Sequence, residues 1–262
     1  MSRAAEELEA LLRVCAQLRD PQQGCPWDRA QTLGSIAPHT IEEAYEVADA
    51  IAAGDPARIR DELGDLLFQV LLDAQLAREQ GWFEFADVAA GLREKLVRRH
   101  PHVFGDKKDE THAALARQWD SHKAAERAAA GLQGTLAGVP RALPALVRAA
   151  KLGRRAAAVG FDWPDEQAVR SKITEEVRET ESAIAAGDPT AVAEELGDVL
   201  FVLVNWARLL HVDPETALRA ANDKFERRFA AMEARIAARG LAMKELSFEQ
   251  WDQLWAEAKE SE

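Results

Sequence analysis

The sequence predicts an all-α protein made of two tandem copies of one helical domain. Three observations carry this. Ala, Leu, Glu and Arg dominate the 262 residues, while β-branched residues are sparse and Tyr occurs once. Shifting the chain by 133 residues lays 42–68 over 175–201 with 16 of 27 positions identical and no gap. In each copy a Gly-Asp-Pro turn, at 54–56 and at 187–189, separates two expected helices. Gly is the usual residue past a helix end, and Pro is tolerated where the next helix begins. A period of half the chain is duplication of a whole domain, not a short solenoid repeat.

The elements follow in order. Asp20-Pro21, Gly24, Gly54-Asp55-Pro56, Gly81, His100-Pro101 and Gly105 punctuate the first copy into helices. In the helix before the first Gly-Asp-Pro turn, Ile41, Ala44, Tyr45, Ala48 and Ile51 form one apolar stripe at 100° per residue, with the Glu residues opposite. The next helix contains Leu66 to Leu76, Leu-rich and free of breakers. Its counterpart Val199–Val204 reads alone as a buried strand or a helix, and the repeat places it in a helix. The stretch 195–210 is apolar nearly all round and is expected to be buried. After a four-residue deletion the repeat resumes: Lys95-Leu-Val-Arg98-Arg99 lies over Lys224-Phe-Glu-Arg227-Arg228, and Trp119-x-x-x-Lys123 matches Trp255-x-x-x-Lys259. The Ala- and Gly-rich stretch from Ala128 to Pro140 reads as a linker, giving domains 1–134 and 135–262.

Composition narrows the function. The net charge of −12 disfavours nucleic acid and anionic membrane as partners, since both call for a basic face. The longest apolar run, Val199–Val204, is far short of the ~18 residues of a membrane span. The acidic N-terminus lacks the cationic-then-apolar order of a signal peptide. Cys15 and Cys25 are too few for a disulfide framework, and a cytoplasmic protein is expected. No phosphate-binding G-x-x-x-x-G-K-[ST] loop and no Glu-x-x-His pair occurs, and none of the six His precedes an Asp.

What remains is a doubled set of carboxylates. Glu42, Glu43 and Glu46 share a helical face, as do Glu62 and Asp65 on the next helix, and the short turn folds the two helices into an antiparallel hairpin. The second copy repeats this with Glu175, Glu176, Glu179, Glu195 and Asp198. Two carboxylates about 4 Å apart repel by ~4 kcal/mol at an effective dielectric of 20. On the first helix alone, a solvated acidic face explains the pattern equally well. Asp198 at the mouth of an apolar helix shifts the balance toward a hard divalent cation held by oxygen ligands, for which magnesium is suited. Lys224, Arg227 and Arg228 sit at i, i+3 and i+4, like Lys95, Arg98 and Arg99, and read either as a solvated face or as a phosphate clamp. Trp119 and Trp255, spaced alike from Lys123 and Lys259, read as core or as base-stacking residues.

Glu-Glu-x-x-Glu followed by Glu-x-x-Asp resembles the MazG family of nucleoside triphosphate pyrophosphohydrolases. Gly24-Cys-Pro-Trp-Asp28 and Arg99-His-Pro-His-Val-Phe-Gly105 resemble first-domain signatures of its two-domain members. Val139-Pro-Arg-Ala-Leu-Pro-Ala-Leu146, Val159-Gly-Phe-Asp-Trp163 and Ala221-Asn-Asp-Lys-Phe-Glu-Arg-Arg-Phe229 resemble second-domain signatures. The resemblance implies tandem four-helix-type domains of the all-α NTP pyrophosphatase type. It implies a homodimer or higher assembly, and magnesium-dependent conversion of a nucleoside triphosphate to monophosphate and pyrophosphate. It implies metal ligands Glu176, Glu179, Glu195 and Asp198 in the second copy, and Glu43, Glu46, Glu62 and Asp65 in the first. Glu175 joins the second set in catalysis by orienting water or substrate. Lys172, Glu175, Glu194, Lys224, Arg227, Arg228, Trp255 and Lys259 would hold the substrate, with Lys95, Arg98, Arg99, Trp119 and Lys123 in the first copy. The alternative is a nucleotide-sensing or dimerisation module without turnover in one or both copies.

Overall fold

The expected breakers fall at or between helix ends, where Gly turns the chain out of one helix and Pro starts the next at a position whose N–H would have no partner. The computed structural model describes residues 2–105 and 131–260, and among these every regular element is helical. The chain divides into two compact units, residues 1–122 and 123–262.

The first unit opens with α1, Arg3–Leu18, whose Ala5 N–H donates to the Ser2 hydroxyl. The short α2, Pro26–Ala30, follows a turn in which Gly24 is required: a Cβ there would lie 2.5 Å from the Leu18 carbonyl oxygen. The Arg19 guanidinium ties this segment down, donating to the Asp28 and Gln31 carbonyls and pairing with Glu79 at 2.5 Å. That pairing holds the Glu79 carboxyl below its usual range. The Gly24–Asp28 motif is thus an anchor between α1 and the helix that bears Glu79.

Next comes the central hairpin, α3 (Leu33–Ala53) and α4 (Pro56–Glu79). Thr32 and Ser35 cap α3 reciprocally, and Gly54 ends it at φ 69°. Asp55 then caps α4, accepting from the Ala57 and Arg58 N–H groups, with Pro56 at the first position. Ile36, Leu72 and Leu76 form the core between them, with Leu33 and Phe68 against it. The unit continues through α5 (Phe85–Arg99) and α6 (Pro101–Phe104).

The second unit contains α7 (Ala145–Ala157), α8 (Glu166–Ala186), α9 (Pro189–Leu209), α10 (Pro214–Ala238), a 3-10 turn at Met243–Glu245 and α11 (Phe248–Glu260). The hairpin α8/α9 reproduces α3/α4. Gly187 ends α8 at φ 68°, and Asp188 caps α9 through the Thr190 and Ala191 N–H groups. A second core of Met232, Ile236, Leu254 and Ala258 joins α10 to α11.

The ambiguous run Val199–Val204 is helical, inside α9. Its burial differs from expectation. Val202, Val204 and Asn205 are buried, but Leu196, Leu200, Phe201 and Leu203 are 38–56% exposed, and Asp198 is exposed as well. Among the described residues α9 packs chiefly on α7 and α8, and its remaining face meets no other described helix to the same extent. The apolar stripe expected on α3 also faces elsewhere. Ile41 and Ile51 are 49% and 58% exposed, and Ala44 and Ala48 are exposed; the inward row is Ile36, Glu43, Val47 and Ala50. Packing of Ile36 against Leu72 and Leu76 of α4 fixes that row, with Val47 and Ala50 buried along it, and Glu43 is carried inward with it.

Candidate active site

The inward row of α3 recurs in α8 as Val169, Glu176, Thr180 and Ala183, at spacings of seven, four and three. Both rows put one glutamate among small or apolar residues, where the hairpin helices meet. From the second helix the facing positions are Glu62 and Glu195, each half-buried, with Asp65 and Asp198 exposed beside them. The carboxylates therefore converge because the seam repeats every seven residues and the turn aligns the two helices.

Two groups of three result. In the first unit, ligand oxygens of Glu43, Glu62 and Asp65 lie within 4.8 Å of one another; in the second, those of Glu176, Glu179 and Glu195 do so. Glu46 and Asp198 fall outside these groups, although Glu46 lies close enough to Glu43 to raise its pKa. The Glu43 carboxyl is pushed up by burial first, then by the charges of Asp65 and Glu46. Its Oε2 is sealed from solvent and has no hydrogen-bond partner. Glu179 is likewise pushed up, by lost hydration and by its contact with Glu176, while Lys172 pulls the other way. A sealed, unpartnered carboxylate oxygen among other hard oxygen donors fits a divalent cation of the magnesium type.

The chain supplies some neutralisation. Lys172 Nζ lies 2.6 Å from Glu175 Oε1 and 2.8 Å from Glu176 Oε1, and these bonds raise its own pKa. In the first unit Arg58 Nε lies 3.3 Å from Glu62 Oε1, and His39 Nδ1 3.4 Å from Glu42 Oε2. Sequence reasoning missed Arg58, whose i, i+4 spacing to Glu62 was the available signal.

The expected basic cluster lies on α10. Lys224 and Arg227 are exposed, and the Arg228 guanidinium stands over the Trp255 ring at 5.5 Å. Trp255 is wedged against Phe225 at 5.6 Å, Phe225 stacks on Phe229 at 6.0 Å, and Phe229 stacks on Trp251 at 6.2 Å. This ladder holds one cation over an indole face. In the first copy Leu96 and His100 stand where Phe225 and Phe229 do. Lys95 and Arg98 are exposed and Arg99 is half-buried near the end of α5; Glu194 is exposed on α9 and Lys259 on α11. Trp119 and Lys123 lie outside the described residues.

Fold and site together define an all-α, tandem-repeat protein with a cluster of three carboxylates in each repeat. The model of the MazG nucleotide pyrophosphohydrolase domain matches residues 31–104 and again 165–231, so each hairpin lies inside one match. The chain belongs to the MazG family and is an enzyme of its nucleotide pyrophosphohydrolase kind. It is 46% identical over 258 residues to the nucleoside triphosphate pyrophosphohydrolase of Escherichia coli strain K12, covering 98% of both chains. It is 43% identical over 259 residues to the nucleoside triphosphate pyrophosphohydrolase/pyrophosphatase MazG of Thermotoga maritima, covering 99% of this chain and 98% of that one. A solved MazG-related protein from Thermotoga maritima is 25% identical, with TM-score 0.38, covering 44% of this chain and 98% of that one. No helix among the described residues is long and apolar enough to cross a membrane.

Proposed function

We propose that this protein is a magnesium-dependent nucleoside triphosphate pyrophosphohydrolase. It converts an NTP or dNTP and water to the monophosphate and pyrophosphate, as a cytoplasmic homodimer that clears the nucleotide pool. The observation that carries the reading is the paired carboxylate centre with its unpartnered Glu43 oxygen, in a chain whose full-length relatives bear that activity in their names. Domains 1–134 and 135–262 each hold one centre.

Glu176, Glu179, Glu195 and Asp198 would hold the cation in the second unit, and Glu43, Glu46, Glu62 and Asp65 in the first. Bound magnesium would polarise a phosphoryl oxygen and acidify an attacking water. The chain's own groups do the rest. Exposed Glu175 orients the water or the substrate. Lys172, Lys224, Arg227, Arg228 and Lys259 bind the phosphate oxygens and offset the charge that develops on pyrophosphate as its P–O bond breaks. Trp255, braced by Phe225 and Arg228, offers a flat face to the base. Glu194 adds a substrate contact from α9. The aromatic brace lacks a counterpart in the first copy, which favours the second unit as the main site of turnover.

The homodimer reading rests on a doubled apolar row. Leu63, Leu67 and Val70 on α4, and their repeat counterparts Leu196, Leu200 and Leu203 on α9, are all 38–56% exposed. A row at four-three spacing is the pattern a facing helix covers. Pyrophosphate release from a panel of triphosphates, with magnesium and with excess chelator, tests the function. Release only with magnesium, with monophosphate as co-product, is expected. Equal release under chelator refutes the metal, and diphosphate plus free phosphate refutes the reaction.

A further inference from the structure

The two carboxylate centres differ in where the chain places its own cation, and the 133-residue repeat makes the difference exact by position. Lys172 stands where the first copy has His39, and Arg58 stands where the second copy has Ala191. In the second unit the ammonium bonds two carboxylates at once, at 2.6 and 2.8 Å, and one of them is the innermost, Glu176, whose side chain is 7% exposed. In the first unit neither cation reaches the innermost carboxylate. His39 meets the exposed Glu42, and half-exposed Arg58 makes one 3.3 Å contact to Glu62. Glu43 Oε2 is left sealed and unpartnered.

We propose that Lys172 is the resident counter-cation of the second centre and sets the order of metal uptake. The first centre takes up a divalent cation first, and the second fills only as Lys172 gives up Glu176. The proposal rests on the metal-dependent reading above and adds an order to it. A cation arriving at Glu176 meets a fixed positive charge within bonding distance of the same carboxylate, so it is repelled until the lysine moves. A cation arriving at Glu43 reaches a sealed oxygen that no described cationic side chain contacts, and an exposed single-contact guanidinium such as Arg58 is a weak competitor. The displaced ammonium remains positive and available to a phosphate oxygen, so uptake at the second centre leaves that unit with a stronger grip on a triphosphate.

Manganese is a suitable probe, because its free aqua ion is read directly by electron paramagnetic resonance. The metal-free, full-length protein is titrated with Mn2+ alone. Two unequal classes of site are expected, the stronger removed by Glu43→Gln and the weaker by Glu176→Gln. Lys172→Met should tighten the weaker class by ~10-fold, as removal of one adjacent like charge implies, and leave the stronger class unchanged. His39→Lys, a change at an exposed position, should weaken the stronger class and provides an independent check should Lys172→Met fail to fold. One class of equal sites, loss of the stronger class in Glu176→Gln, or an unaltered weaker class in Lys172→Met overturns the order while leaving metal-dependent hydrolysis standing. Absence of bound Mn2+ in all forms overturns both.

Discussion

Glu43→Gln offers a sharp test, because stability and metal binding should move in opposite directions. In the metal-free protein Glu43 is a partly buried carboxylate whose ligand oxygen lies within 4.8 Å of those on Glu62 and Asp65. At that separation two unit charges repel by about 3.5 kcal/mol at an effective dielectric of 20. Solvent screening of these half-exposed groups reduces the relief from neutralising one of them to ~1 kcal/mol. The amide keeps the shape and can donate to a neighbouring carboxylate. Under chelator near neutral pH, Glu43→Gln should therefore raise the melting temperature by roughly 2–5 °C, while abolishing the first unit's cation binding. The pH dependence has a definite sign. The folded-state pKa of Glu43 is raised, so the stability it contributes is fully present below the ordinary carboxylate range and is lost as pH rises through the raised value. The variant's advantage should vanish near pH ~4.5 and grow toward neutrality. Differential scanning calorimetry with and without chelator reads all of this. A variant that melts several degrees lower under chelator at neutral pH would show Glu43 to be a structural group and refute the reasoning.

Glu179→Gln should lower turnover by ~100-fold or more, as loss of one preorganised electrostatic contact does, and Glu46→Gln by much less. The reverse outcome in a pyrophosphate-release assay makes the first unit the main enzyme. Light scattering at micromolar concentration should give at least twice the 28.9 kDa chain mass; a monomer that still turns over substrate contradicts the dimer. Gly153→Ala should destabilise the second unit by about 1–3 kcal/mol in urea unfolding, because its Cβ would stand 2.3 Å from Asn205 Oδ1. Asn205 is buried and donates to the Phe201 carbonyl, so it has little room to retreat; an unchanged midpoint would show that it does.

The helices and the doubled hairpin were legible because both signals are local. Gly, Asp and Pro at the turns act on their own backbone, and the repeat doubles every observation. The inward face of α3 was not legible from hydrophobicity. Ile41, Ala44, Ala48 and Ile51 make a better apolar stripe than Ile36, Glu43, Val47 and Ala50, yet the second row packs. Comparison of the two copies held a clue, since Val169, Thr180 and Ala183 keep the packing row small or apolar while Thr174, Arg178 and Glu181 break up the other. The burial of α9 was misjudged for a related reason. An all-round apolar pattern does not say which face one chain covers, and here Leu196, Leu200, Phe201 and Leu203 stay exposed. At the site the acidic residues and their convergence were foreseen, whereas the separation of Glu46 and Asp198 from the tight groups depends on side-chain rotation, which spacing along a helix does not fix.

The one-residue junction between Gly54 and Pro56, repeated at Gly187–Pro189, bears on how the protein folds. Glu43 and Glu62 are 19 residues apart in sequence, as are Glu176 and Glu195. Each centre is thus assembled by contacts of short range, the kind that form early in a chain's collapse. If the hairpin closes first, mutually repelling carboxylates meet before the surrounding helices pack. A divalent cation should consequently accelerate refolding, and not merely slow unfolding, with stopped-flow traces in magnesium and in chelator separating the two. Faster refolding in magnesium would place the origin of the hairpin's stability in the same carboxylates that the proposed reaction needs.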